Sequence, residues 1–297
     1  MPTHEFGGPW TADKLVRLRK YLAAFTKMFE GNPRARSLTR IYVDAFAGTG
    51  SVSSKKHRSH PEASLFPAMA EGEGAGGTTK GSARIALEVT PPFHRYILIE
   101  LKPTHSRELA ALRAQYPDKA DRIEIVSTDA NQYLKTWCAN TDWARSRAVV
   151  FLDPYGMQVE WSTIVAIAQT RAIDLWILFP LGVAVNRLLL KAGPPSAKWE
   201  QALTRMFGDD SWRQAFYPKR RVNTLYGEVD TQAKQADFRT IEGFYVDRLR
   251  AIFADVVNRP LRLYSSKRVP LYTLCFAVGN LKGAPTAIKI ASHILGR

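Results

Sequence analysis

The sequence YVDAFAGTG, residues 42–50, ends an apolar run in an acid and follows it with two closely spaced glycines. Glycines at this spacing let the backbone turn tightly and approach a ligand. In open α/β sheets, ligands bind beyond the carboxyl ends of the strands, where turns of this kind lie. We therefore expect Asp44, Gly48 and Gly50 to end the first strand of an α/β sheet and to form part of a ligand site.

The chain after residue 81 alternates short apolar runs with helical patterns. The runs are RYILIE (95–100), RIEIVST (122–128), RAVVFLDPYG (147–156) and IDLWILFPL (173–181), and an amphipathic helix over 11–30 precedes the first strand. Such alternation indicates βαβ units and a parallel sheet. The predicted fold is a Rossmann-like, mostly parallel, doubly wound sheet.

Three further segments complete the predicted organisation of a single domain over 1–297. Residues 51–81 are rich in Ser, Gly, Lys and His, so we expect a flexible basic loop. Residues 194–257 carry aromatic-rich helical patterns and no convincing strand, which predicts a helical insertion. LRLYSS (261–266) and LYTLCFAVGN (271–280) then predict a C-terminal antiparallel hairpin that completes the sheet.

The composition favours a polyanionic partner. There are 42 Lys and Arg against 27 Asp and Glu, a formal net charge of +15, and nucleic acid is the first candidate. The two cysteines, Cys138 and Cys275, lie in no CxxC pair, so we expect reduced core thiols without a disulfide framework. No membrane span or signal pattern is evident, which predicts a cytoplasmic protein.

Three ligands could use the glycine turn. A P-loop needs GxxxxGK[ST], which the residues GTGSVSSKK do not contain. A dinucleotide needs GxGxxG, and Ser53 stands at the third glycine position, so an NAD-type oxidoreductase has a weak signal. S-adenosylmethionine presents an ammonium, which Asp44 could receive, while the glycine turn leaves room for the methionine portion.

Acids recur at the ends of the next two strands, where the same ligand would extend. Glu100 follows the second strand and suits the ribose hydroxyls, and Asp129 follows the third strand near the expected adenine. Each acid taken singly could be a helix cap or a solvated side chain. Their order along the chain makes S-adenosylmethionine the favoured cofactor.

The fourth strand ends in DPYG, residues 153–156, which suits a flat aromatic amine. Asp153 can accept a hydrogen bond from an exocyclic amino group, Pro154 fixes the chain, and Tyr155 offers a stacking face. Such a site would orient the amine towards a methyl donor. The alternative is ordinary turn chemistry at the end of a strand.

Several motifs together make the chain resemble a known family. FGGPWTADKL, YVDAFAGTG, FLDPYG, LFPLGVAVNRLL and VPLYTLCFAVGN resemble the bacterial three-Cys-motif partner family, TcmP, over nearly the whole chain. The resemblance implies a three-Cys-motif radical-SAM-like protein as a partner, and it leaves the reaction open.

The core is also similar to class I S-adenosylmethionine-dependent methyltransferases. Their D-x-F-x-G-x-G and D-P-P-Y motifs match residues 44–50, including Ala45 and Phe46, and residues 153–155. The chain has one proline where the amino-methyltransferase motif usually has two, and its DPYG is closer to the DPFG of tRNA guanine-N2 dimethyltransferases. The resemblance therefore implies an N-methyltransferase with adenine N6 and guanine N2 both open. A cytosine C5 enzyme would need a cysteine beside proline, which the chain lacks.

Two basic clusters are candidate nucleic-acid contacts: Lys55, Lys56 and Arg58, and Lys219, Arg220 and Arg221. His57 and His60 have no third ligand nearby, so no metal site is expected. Lys14 on the first helix could reach the site, although a solvent-facing side chain is the simpler expectation. The hypothesis is therefore a nucleobase N-methyltransferase, and its main rival is a non-catalytic subunit that recruits nucleic acid for the partner protein.

Overall fold

A mixed sheet forms the centre of the computed structural model, which describes residues 9–52, 79–224, 227–231 and 233–296. The strands described are β1 (Thr39–Asp44), β2 (Ser51–Val52), β3 (Thr79–Lys80), β4 (Arg95–Ile99), β5 (Ile123–Val126), β6 (Ser146–Leu152), β7 (Ile173–Phe179), β8 (Arg220–Thr224), β9 (Gly227–Thr231), β10 (Asp255–Val256), β11 (Leu261–Tyr264) and β12 (Pro270–Val278).

Helices connect most of these strands. They are α1 (Pro9–Gly31), α2 (Ser82–Leu87), α3 (Pro103–Ala114), α4 (Ala130–Asn140), α5 (Trp161–Gln169), α6 (Ala197–Phe207), α7 (Ser211–Phe216), α8 (Phe238–Ile252) and α9 (Ala284–Ile294), with shorter helical turns at Pro117–Arg122, Leu181–Val185 and Asn186–Leu188. None of the helices described is both long and apolar enough to cross a bilayer.

The strand order of the central sheet is β5-β4-β1-β6-β7-β12, and both β10 and β11 pair with β12. The five strands β5, β4, β1, β6 and β7 are parallel to one another, whereas β12 is antiparallel to β7, β10 and β11. The predicted Rossmann-like fold, mostly parallel with a C-terminal hairpin, is confirmed. The order reverses between β1 and β6, and this switch point is where ligands bind in open α/β sheets.

Helices cover both faces of the sheet. On β7, Trp176 meets the ring of Tyr21 from α1 at 5.3 Å, and Phe179 stacks on Tyr245 from α8 at 4.1 Å between ring centroids. Because side chains alternate between faces along a strand, residues three apart point to opposite faces. All seven residues of β7 are buried, as expected for a parallel strand covered on both sides.

The structure corrects two predicted segments. The insertion 194–257 contains helices α6, α7 and α8 as predicted, but it also holds the antiparallel pair β8–β9 and the short β10. Val222 and Thr224, and likewise Val229 and Thr231, stand two positions apart, a strand signal that the longer helical patterns outweighed. The predicted loop 51–81 begins and ends in the ladder β2–β3, and residues 53–78 within it lie outside the described residues.

Candidate functional site

The predicted site acids lie at the carboxyl edge of the parallel sheet. Asp44 is the last residue of β1, Asp153 directly follows β6, Glu100 follows β4, and Asp129 precedes α4 after β5. Strands β1 and β6 are neighbours, so Asp44 and Asp153 flank the switch point of the sheet. Parallel strands bring their carboxyl ends to one edge, which is why residues more than a hundred positions apart meet here.

Asp44 is a fully buried carboxylate. Its Oδ2 accepts a hydrogen bond from the Tyr42 hydroxyl at 3.2 Å, whereas Oδ1 has no hydrogen-bond partner among the described residues. Burial and, to a smaller extent, the negative charge of Asp153 raise the pKa of Asp44 to about 7, although hydrogen bonds from the Ser82 and Tyr42 side chains and the Phe46 backbone lower it. A buried acceptor without a partner is costly, so this oxygen is suited to a donor supplied by a ligand.

Lys14 forms an ion pair with Asp153 at the mouth of this site. Its Nζ donates to Asp153 Oδ2, and the two side chains are 8% and 22% exposed. The ammonium also lies 5.0 Å from the centroid of the Trp10 ring, which packs on Tyr272. The expectation of a solvent-facing Lys14 is wrong. Lys14 falls four residues before the buried Leu18 on α1, a spacing that could have revealed its burial.

The residues after Asp153 form a tight turn. Pro154 is buried, Tyr155 is 40% exposed, and Gly156 has a φ of 63°. The backbone N–H of Tyr155 donates to Gln158 Oε1 at 3.1 Å, which ties the turn to the segment that precedes α5. The turn thus presents an aromatic face beside a carboxylate.

The two glycines of the turn have different roles. Gly48 and Gly50 both have positive φ values, 58° and 71°. A Cβ on Gly50 would lie 2.6 Å from Leu112 Cδ2 of α3, whereas a Cβ on Gly48 would meet no atom of the described residues within 4 Å. Gly50 therefore permits close packing of α3, and Gly48 borders open space that a ligand could fill.

The segment between Asp44 and these glycines is held by the sheet. Ala45 is buried and its N–H donates to the Phe151 carbonyl at 3.1 Å, while Phe46 is partly buried against the core. Ala47 donates in turn to the Ile99 carbonyl at 3.0 Å. These bonds to β6 and β4 fix the start of the turn on both sides of β1.

Glu100 and Asp129 both contact the N-terminus of the helix that follows them. Glu100 Oε1 accepts from the Lys102 N–H at 2.8 Å, and Oε2 lies 3.6 Å from His105 Nδ1. Asp129 is exposed and caps α4, with Oδ1 accepting from the Gln132 N–H at 2.9 Å. Helix capping alone accounts for an acid at Asp129, so its contact with a cofactor stays a prediction.

The predicted nucleic-acid contacts are largely untested by the structure. Lys55, Lys56 and Arg58 lie outside the described residues, as do His57 and His60. Lys219 and Arg221 are exposed beside the start of β8, and only the backbone of Arg220 is described. Their role in nucleic-acid binding stays a prediction.

Neither cysteine is suited to nucleophilic chemistry. Cys138 and Cys275 are buried and unpaired with each other, as expected for core thiols. Burial raises the pKa of Cys138 to about 12 and that of Cys275 well above its ordinary value. Within the described ranges, no three His, Cys, Asp or Glu side chains form a group that could hold a metal ion.

Comparison with known proteins finds similar solved structures but no matching family model or curated protein. A Legionella pneumophila protein of the family DUF519 aligns with 97% of this chain and 92% of its own, at 14% identity and a TM-score of 0.49. Magnesium protoporphyrin IX methyltransferase from Synechocystis, with bound S-adenosylhomocysteine, aligns with 90% and 83%, at 12% identity and 0.37.

A third similar structure is spermidine synthase from Thermotoga maritima. It aligns with 92% of this chain and 61% of its own, at 10% identity and a TM-score of 0.40. Matches at these identities and TM-scores do not assign a ligand or a reaction. The function must therefore be argued from the geometry and electrostatics of the site.

Proposed function

We propose that the protein is an S-adenosylmethionine-dependent methyltransferase that acts on an exocyclic amino nitrogen of a nucleobase. The observation that carries the proposal is the buried Asp44, whose Oδ1 has no partner among the described residues, together with the ion-paired Asp153 and the space that the described residues leave at Gly48. This arrangement lies at the switch point of a parallel sheet. It offers an acceptor for a cationic ligand next to an acceptor for an amine.

The residues at this edge fit the proposed cofactor. Asp44 would receive the ammonium of its amino-acid end, and the space at Gly48 would admit the methionine portion. Glu100 would accept hydrogen bonds from the ribose hydroxyls, and Asp129 would lie near the adenine. When bound, S-adenosylmethionine supplies an electrophilic methyl group.

The electrostatics disfavour a dinucleotide at the same turn. Burial raises the pKa of Asp44 and the charge of Asp153 raises it further, so negative charge near this carboxyl group disfavours its ionised form. A pyrophosphate placed at the glycine turn would bring further negative charge close to the buried Asp44 and would disfavour its ionised form. A cationic ligand favours the ionised form, which supports S-adenosylmethionine over NAD.

Asp153 would hold and orient the target amine. Lys14 engages Oδ2, and the other oxygen, Oδ1, makes no hydrogen bond within the described part of the chain. That oxygen could accept from the exocyclic amino group while the exposed ring of Tyr155 stacks on the base. An amine nucleophile needs its lone pair aimed at the methyl group more than it needs a strong base. Lys14 balances the charge of Asp153 and so lets two carboxyl groups share one site.

Nucleic acid is the proposed source of the base, because the formal net charge of +15 favours a polyanionic substrate. Adenine N6 and guanine N2 both suit the proposed contact with Asp153. The resemblance to the TcmP family further leads us to propose a three-Cys-motif radical-SAM-like protein as a binding partner. Co-purification of the two proteins after co-expression would test this partnership.

The experiment that tests the function follows methyl transfer from labelled S-adenosylmethionine to RNA and DNA, with the nucleosides identified by mass spectrometry. Asp153→Ala should abolish the methylated nucleoside and leave S-adenosylhomocysteine binding nearly unchanged. Asp121→Ala, which removes an exposed acid from the turn before β5, is the matched control and should retain activity.

Two outcomes would contradict the proposal. Tight S-adenosylhomocysteine binding without transfer to RNA or DNA would favour the non-catalytic recruiting subunit. Binding of NAD without affinity for S-adenosylhomocysteine would favour an oxidoreductase.

A further inference from the structure

A basic groove lies between α1 and α9. Its volume is about 500 Å³, and its lining contains no acidic side chain. The lining residues are Lys20, Ala24, Lys289, Ile290, His293 and Ile294. Lys20, Lys289 and His293 are exposed, and neither lysine forms an ion pair among the described residues. The groove thus carries positive charge that the described part of the protein does not neutralise.

The groove lies against α1, the helix that also carries Lys14, and its Lys20 end is nearer the amino edge of the sheet, where the neighbouring Tyr21 donates to Asp174. Arg17 of α1 donates a hydrogen bond to the Ile294 carbonyl, which brings the end of α9 within one helical turn of Lys14. Lys14 in turn contacts Asp153. At 1.5 Å per residue, Lys20 lies about 9 Å further along α1 than Lys14. A substrate chain seated in the groove would therefore have to extend along α1 to reach Asp153.

We propose that this groove holds the phosphodiester backbone of the nucleic-acid substrate beside the target base. The inference rests on the proposed function for the identity of the substrate. Lys20 and Lys289 would contact phosphates from the two sides of the groove, and the apolar floor at Ala24 and Ile290 would face the sugars. Phosphate contacts of this kind set the position of a nucleic acid without reading its sequence.

The test compares a groove variant with a charge-matched control. The groove variant combines Lys20→Glu with Lys289→Glu. The control combines Arg107→Glu with Arg113→Glu, exposed residues of α3, which packs on β5 at the opposite end of the sheet from β12. Fluorescence anisotropy would measure the binding of labelled mixed-sequence RNA, single-stranded DNA and duplex DNA as a function of salt.

The groove variant should bind these oligonucleotides less tightly and with a weaker salt dependence. Each lost phosphate contact reduces the slope of log K against log salt by about 0.7 to 0.9, so two contacts reduce it by about 1.4 to 1.8. Over a fourfold increase in salt, the wild-type protein should then lose about tenfold more affinity than the groove variant. The control variant should keep the wild-type slope.

Failure of this inference and failure of the proposed function give different results. An equal reduction in the slope of log K against log salt in both variants would overturn the proposed role of the groove without bearing on methyl transfer. S-adenosylhomocysteine binding without any oligonucleotide binding would also overturn it. A selective loss of binding to phosphatidylserine vesicles or polyglutamate, with oligonucleotide binding unchanged, would assign the groove to another partner. Groove-dependent oligonucleotide binding without methyl transfer would support nucleic-acid binding by the groove and would contradict the proposed methyltransferase activity.

Discussion

The pKa of Asp44 makes cofactor affinity depend on pH in a way that tests the site directly. Burial raises this pKa to about 7, so the carboxyl group is largely protonated below neutral pH before a ligand binds. An ammonium requires the ionised form. Binding should therefore release a proton below pH 7, and affinity for S-adenosylhomocysteine should rise with pH up to about 7.

The size of the effect follows from the fraction of ionised carboxylate. At pH 5, two units below a pKa of about 7, about 1% of Asp44 is ionised, so affinity should be about a hundredfold weaker than its maximum. This factor corresponds to about 3 kcal/mol of binding free energy. At higher pH the α-amino group of the ligand loses its own proton, so affinity should fall again.

Calorimetric titration between pH 5 and 9 would measure both the affinity and the proton released. The Asp44→Asn variant should bind S-adenosylhomocysteine weakly and should lose the acidic limb of the profile, which is the rise in affinity between pH 5 and 7. 5′-Methylthioadenosine, which lacks the amino-acid end, should bind wild-type protein without that limb.

Asp174→Asn is the matched control variant for this experiment. Asp174 is also buried, and burial raises its pKa to about 7, but it lies near the start of β7, away from the carboxyl edge. This variant should therefore keep the wild-type profile. A flat wild-type affinity between pH 5 and 7, or an acidic limb shared by 5′-methylthioadenosine, would refute the assignment of Asp44 to the ammonium.

Three further predictions concern Lys14, the glycine turn and Asp174. Lys14→Met should lower methyl transfer about a hundredfold through misplacement of Asp153, without weakening calorimetric affinity for the cationic cofactor; an unchanged rate would count against the ion pair. Gly50→Ala should lower the free energy of unfolding in urea by about 2 kcal/mol or more, because its Cβ meets Leu112. Gly48→Ala, at a similar φ, should cost about 1 kcal/mol of stability but reduce S-adenosylhomocysteine affinity at least tenfold; equal effects of the two variants on stability and affinity would contradict their separate roles. Burial raises the folded-state pKa of Asp174 above the ordinary value of 3.8, so its contribution to stability is present at low pH and is lost as pH rises from about 4 to 7, by up to about 4 kcal/mol. Asp174→Asn should reduce this decline in pH-dependent urea unfolding, and an unchanged slope would show that Asp174 does not titrate near 7.

The sequence by itself determined the parallel sheet and the edge at which the acids lie. Strands β4, β6 and β7 are buried on both faces, so they appear as continuous apolar runs separated by helical patterns. Since parallel strands share one carboxyl edge, the acids that follow them could be assigned to a common site without coordinates. The weaker period-2 signal of β8–β9 was missed among stronger helical patterns.

The tertiary structure decided how the residues at that edge act together. Gly48 and Gly50 look alike in sequence, and only the packing of Leu112 separates the glycine required by α3 from the one that borders open space. Lys14 and Asp153 are 139 residues apart, and no local pattern pairs them. Their contact depends on where α1 rests against the sheet, because long-range packing, rather than local propensity, brings distant side chains within hydrogen-bond distance.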